Sequence, residues 1–188
     1  MKKQASEWLH AFLFFITMKK FFLLLTLLLC TSMAWAHDVE VDGIYYFLNQ
    51  SNKTAQVRSN YENKYTGDLC IPESISVEGT IYVVTILGAG CFSGCTGLTS
   101  ITIPNSVTSL GDSCFSGSTG LSSITIPNSV MSLGMSCFYG CTGLTSVTIP
   151  NSVTYLNDYC FYGCTRLTSI TIPNSVTSLG YRCFEDCI

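Results

Sequence analysis

Histidine is almost absent from this sequence. Of the two in 188 residues, His10 lies in an N-terminal segment that reads as an export signal, and His37 falls where that segment ends. No Ser–His or Cys–His nucleophilic pair can therefore be assembled within the body of the chain. Charge is also scarce, at 11% of residues, against about 25% in an ordinary soluble domain. From His37 onward the bases are Lys53, Arg58, Lys64, Arg166 and Arg182, and they face eleven acids, a net of −6 (5 − 11). With no basic patch to track phosphates, nucleic acid is excluded as a partner, and an anionic membrane surface is excluded for the same Coulombic reason. The acids of the regular region, Asp112, Asp158, Glu185 and Asp186, do not recur at equivalent positions, so no paired-carboxylate site is expected. A Gly-rich phosphate loop after a strand is missing too. An enzyme is not expected, nor is a cofactor.

The first 36 residues carry the order of an export signal. Lys19 and Lys20 precede the apolar run from Phe21 to Leu29, and Ala34-Trp35-Ala36 offers a small-x-small cleavage site. That run is too short to span a bilayer, which takes about 20 residues. Met18 opens such a signal well and is a candidate start. Lipidation at Cys30 fits less well, because Leu29 stands where a small residue is usual. The mature chain is expected to begin at His37, after cleavage near Ala36, with no membrane span. Two formal glycosylation sequons, at Asn49 and Asn52, matter only in a eukaryotic secretory route.

What the sequence has in abundance is itself. ITIPNSV at 101–107 returns at 124–130 and 170–176, and as VTIPNSV at 147–153, always at an interval of 23. Leu98, Leu121, Leu144 and Leu167 open four such units, and all five prolines of the chain follow an isoleucine. A period of this size signifies a solenoid of stacked supersecondary units. Within one unit, Leu98, Ile101 and Ile103 alternate with Ser100 and Thr102, the period of a short strand. Pro104 ends that strand because it has no N–H to donate, and Asn105-Ser106 is turn chemistry. Val107 and Leu110 return to the core, Gly111 permits a tight bend, and Cys114-Phe115 fills the far side. The expected fold is a mainly β repeat solenoid of 23-residue units stacked in a parallel sheet, with a β-rich N-terminal cap. The expected divisions are the signal at 1–36, the cap at 37–70, an irregular first repeat with a longer turn at 71–97, and four regular repeats at 98–188, the last uncapped.

The unit L-x-x-I-x-I-P-x-S-V-x-x-L-G-x-x-C-F-x-G-C resembles the leucine-rich repeats of BspA-type bacterial surface proteins. The lead-in, with Asp42-Gly43-Ile44-Tyr45-Tyr46, Tyr65-Thr66-Gly67-Asp68, Ile71-Pro72 and Gly79–Val84, resembles that family's N-terminal segment. The resemblance covers residues 42–188. It implies a secreted or surface-attached bacterial protein of the leucine-rich repeat type, in a family whose members include adhesins for host proteins or other cells. Three departures stand out: Cys91, Cys114, Cys137, Cys160 and Cys183 replace the family's usual Ala before Phe, Ser118 replaces a second Cys, and Asn157 replaces the bend Gly.

Ten cysteines remain after cleavage. They read as small buried apolar filler. Cross-rung disulfides, for example Cys114 with Cys137, are the alternative that export permits, and zinc between neighbouring rungs is a third. Two candidate binding faces stand out. One is the hydroxyl ladder of Ser100, Thr102, Ser123, Thr125, Ser146, Thr148, Ser169 and Thr171, which also reads as ordinary solvated strand or as a water-ordering surface. The other is Tyr139, Tyr155, Tyr159, Tyr162 and Tyr181, at positions that vary between units and so point outward. The expected function is an exported, non-enzymatic binding or adhesion protein for a protein or glycan ligand. The alternative is an assembly protein that self-associates through its uncapped C-terminal repeat.

Overall fold

The computed structural model describes residues 37–60 and 64–187; the export signal, Met18 and Ile188 lie outside them. Among the described residues every regular element is a strand. β1 (His37–Val41) and β2 (Ile44–Asn49) form a hairpin around Asp42-Gly43, both at positive φ, the turn that matches strand twist. β3 (Thr54–Val57) pairs antiparallel with β2, with Tyr46 opposite Val57. β4 (Gly67–Cys70), β5 (Ser74–Val77) and β6 (Thr80–Leu87) follow. β6 joins the two regimes of the fold. Its first half makes a hairpin with β5 around Glu78-Gly79, and its second half runs parallel to β3 on one side and to β8 (Ser109–Leu110) on the other.

Each regular rung then contributes two strands rather than the single one read from the sequence. β7 (Leu98–Thr102), β9 (Ser123–Thr125), β11 (Ser146–Thr148) and β13 (Ser169–Thr171) are the expected series. β8 (Ser109–Leu110), β10 (Ser132–Leu133), β12 (Tyr155–Leu156) and β14 (Ser178–Leu179) are a second. Two residues are too few to show a period, which is why this second series was not legible. It continues the N-terminal strands into one nine-stranded sheet, β1-β2-β3-β6-β8-β10-β12-β14 with β5 on β6. β9, β11 and β13 make a three-stranded sheet and β4 pairs with β7. The pairings between the regular rungs are parallel and in register, as stacking of near-identical units requires, whereas β4 on β7 carries a register shift at Gly67/Asp68.

Between the two strand series and the turn side runs one apolar column. Leu98, Ile101, Val107, Leu110 and their equivalents in the next two rungs are buried, and the phenylalanines form its spine. Phe92, Phe115, Phe138, Phe161 and Phe184 stack at centroid separations of 5.2, 5.3, 5.1 and 5.4 Å. Burying each ring fully is worth about 1.5–3 kcal/mol. Tyr65 closes the N-terminal end of the stack edge-on, 5.2 Å from Phe92. On the turn side, each Phe N–H from Phe92 to Phe161 donates to the Cys carbonyl of the next rung at 2.8–2.9 Å, which fixes the rung interval.

Candidate functional site

The hydroxyl ladder is built by the first strand series. Ser123, Ser146 and Ser169 lie in register, as do Thr125, Thr148 and Thr171, and all are exposed because their isoleucine and valine neighbours take the inward positions. Ser100 and Thr102 stand one period earlier on β7, exposed as well. The N-terminal end differs. Ser100 donates to Asp68 Oδ1 at 2.7 Å and Thr99 does so at 2.8 Å, so these hydroxyls are engaged, and they hold the Asp68 carboxyl below its ordinary pKa.

Beside the threonines the chain leaves a trough. Thr102, Thr125 and Thr148 form one wall, Asn105 and Asn128 the other, and Ile103, Ile126 and Pro127 lie between them, around about 680 Å³ of open space. A second recess of about 400 Å³ shares Asn128, Thr148 and Pro150 with the first and extends to Thr171 and Asn174. Together they run across four rungs, and no residue lining either recess is charged. Each rung offers one hydroxyl, one carboxamide and an apolar floor. The asparagines were read from sequence only as turn residues. Their unbroken recurrence at 105, 128, 151 and 174, where a turn would accept several residue types, was the signal that could have found them.

Four of the five tyrosines meet on the turn side. Tyr139 and Tyr162 stack at 4.9 Å, Tyr159 meets Tyr162 edge-on at 5.8 Å, and Tyr181 meets Tyr159 edge-on at 5.6 Å. Arg182 lies over the Tyr181 ring and pairs with Glu185 at 2.9 Å, and the Tyr162 hydroxyl donates to the Asp186 carboxylate, which raises the Tyr162 pKa. Tyr155 lies apart from this cluster, on β12 of the large sheet.

Residues 60–188 match the family model of the BspA type leucine rich repeat region in six copies. The chain belongs to the BspA-type leucine-rich repeat family. No curated protein sequence matches it. Among solved structures, a leucine rich cell surface protein from Faecalibacterium prausnitzii is 27% identical, with a TM-score of 0.62 over 79% of this chain and 46% of that one. A leucine-rich repeat protein from Bacteroides capillosus is 22% identical, with a TM-score of 0.55 over 77% of this chain and 97% of that one. The pneumococcal vaccine antigen PcpA is 17% identical, with a TM-score of 0.60 over 82% of this chain and 49% of that one. The last two show the fold alone. The chain thus spans about half the length of the F. prausnitzii protein.

In this BspA-type stack the polar groups of the rungs are largely spent on the rungs themselves. Asp112 Oδ1 accepts the Met135 N–H at 2.8 Å and Asp158 Oδ1 accepts that of Tyr181 at 2.7 Å. Ser129 and Ser175 donate to the Val107 and Val153 carbonyls one rung back, at 2.6 and 2.9 Å. Asn157, in place of the bend glycine, reaches the Leu133 carbonyl with its carboxamide at 2.6 Å. Among the described residues no three His, Cys, Asp or Glu side chains group as metal ligands. Among them no helix is long and apolar enough to cross a membrane.

Proposed function

We propose that this protein is an exported, non-enzymatic binding protein, secreted or held at a bacterial cell surface, that presents the Thr–Asn trough to a protein or glycan ligand. The observation that carries this reading is the trough itself. It repeats the same hydroxyl, carboxamide and apolar floor on successive rungs, so contact energy accumulates with the number of rungs covered. Its neutrality favours an uncharged ligand segment, since the acidic chain repels polyanions and the trough offers no cation to hold them. The family's surface proteins support export and adhesion. The tyrosine cluster gives the same ligand, or a second one, a set of rigid aromatic edges. The test is a binding array of matrix proteins, mucins, neutral glycans and bacterial surface components. Saturable binding to one class, little changed between 50 and 500 mM salt, is the expected result; no binding to any component removes the reading.

Self-association is the second reading, and one observation favours it. In the last described rung Leu179 is 51% exposed and Ile172 40%, whereas Leu156 and Ile149, one rung earlier, are at 0% and 2%. Another rung would cover them. Light scattering over a concentration series separates the readings, because assembly predicts growth in mass without ligand.

A further inference from the structure

The cysteines form two columns with different chemistry. In the second column, Cys141, Cys164 and Cys187 each donate a thiol hydrogen bond to a phenylalanine carbonyl of the preceding rung (Phe115, Phe138 and Phe161) at 3.0–3.1 Å. Ser118, the exception in that column, does the same toward Phe92 at 2.6 Å. The position is therefore kept for a donor. Each of these carbonyls also accepts the backbone N–H three residues on, and oxidation of the thiol would remove the one bond that ties it to the next rung.

The first column is otherwise. Cys91 and Cys114 point their sulfurs at each other, Sγ to Sγ at 3.5 Å, both at 1% exposure or less. Further along, Cys160 and Cys183 are hydrogen-bonded to backbone of the preceding rung. Cys91 ends its column, since Tyr65 rather than a cysteine meets that end of the stack. Its cross-rung cysteine partner is Cys114, which also meets the Cys137 thiol on its other side. A rung interval of about 4.8 Å falls inside the roughly 4.4–6.8 Å Cα separation that a disulfide accepts. The sulfurs must close from 3.5 Å to bond length, about 2 Å, which small side-chain rotations can supply without moving the rungs.

We propose that Cys91 and Cys114 are joined by a disulfide in the oxidised protein, a staple between the first two rungs, while the second-column thiols stay reduced as hydrogen-bond donors. The bond forms by exchange with a disulfide oxidant. One cysteine thiolate attacks the oxidant's S–S bond and expels one of its sulfurs as a thiolate. The other cysteine attacks the resulting mixed disulfide and expels the second. The protein gains an Sγ–Sγ bond and gives up two protons and two electrons, and the oxidant leaves as two thiols. Because both sulfurs are buried once the rungs close, the exchange belongs to folding rather than to the finished protein.

The experiment refolds the denatured protein in a buffer of oxidised and reduced glutathione, blocks free thiols with N-ethylmaleimide in denaturant, and maps chymotryptic peptides by mass spectrometry. The expected result is a peptide linking Cys91 to Cys114, with Cys95, Cys141, Cys164 and Cys187 alkylated. The Cys137→Ser variant is expected to keep the link. Alkylation of both Cys91 and Cys114, or a link from either to any other cysteine, overturns the proposal.

Discussion

Ser118 stands where the neighbouring rungs carry cysteine, and its hydroxyl gives the Phe92 carbonyl the bond that the thiols of Cys141, Cys164 and Cys187 give the carbonyls after it. The chain has thus made one substitution of its own and kept the hydrogen bond. It follows that Cys141→Ser should change stability by less than Cys141→Ala, which takes from the Phe115 carbonyl one of its two hydrogen bonds, the other coming from the Ser118 N–H, and should cost about 0.5–1.5 kcal/mol. Urea unfolding midpoints of the two variants check this. Burial also raises ionisations, pushing the Tyr65 phenol to about 12 and the Cys183 thiol to about 11. Both lie above their ordinary values of 10.0 and 9.0, so the fold favours the neutral forms. That stabilisation is whole below the ordinary values and is lost as pH rises toward the raised ones. Thermal midpoints should accordingly be flat up to about pH 9 and fall between pH 9 and 12. Reading cysteine as buried filler was legible from composition. That Cys141, Cys164 and Cys187 serve as donors was not, because the partner is a backbone carbonyl 26 residues away.

The elements hold because each rung lays an identical set of side chains on its neighbour. Phe138 has a ring stacked on either side and is fully buried, while Phe184 has one such neighbour and is partly exposed. Phe138→Ala is therefore expected to cost about 3–5 kcal/mol, and Phe184→Ala less than half of that, by equilibrium denaturation. The strand of the LTSIT series was legible in the sequence because five residues suffice to show an alternation of inward and outward positions. The two-residue strands Ser109–Leu110 and their equivalents were not, since their pairing is imposed by the register of the stack rather than by local pattern. The bend glycines show the same coupling: a Cβ on Gly134 would come within 2.4 Å of the Asp112 nitrogen, a contact that exists only once rungs stack.

For the described molecule from His37 onward, the interval of 23 decided the architecture and left the working surface half-read. The hydroxyl ladder was legible because outward positions follow from the strand period. The trough beside it was not, because it is formed by the asparagines and prolines of the turn folding up against that ladder. The tyrosine cluster was legible as a set of outward residues, but which of them meet depends on how the turn side stacks, and Tyr155 falls outside it. The measurement that tests the account most directly compares the wild type with the Thr125→Arg/Thr148→Arg variant for binding to the array ligand. Both threonines are exposed, so the variant should fold, and circular dichroism should be unchanged. The account predicts at least a tenfold loss of affinity, because two long cations fill the trough on adjacent rungs. Unchanged affinity in a folded variant would contradict it and would place the binding surface elsewhere on the molecule.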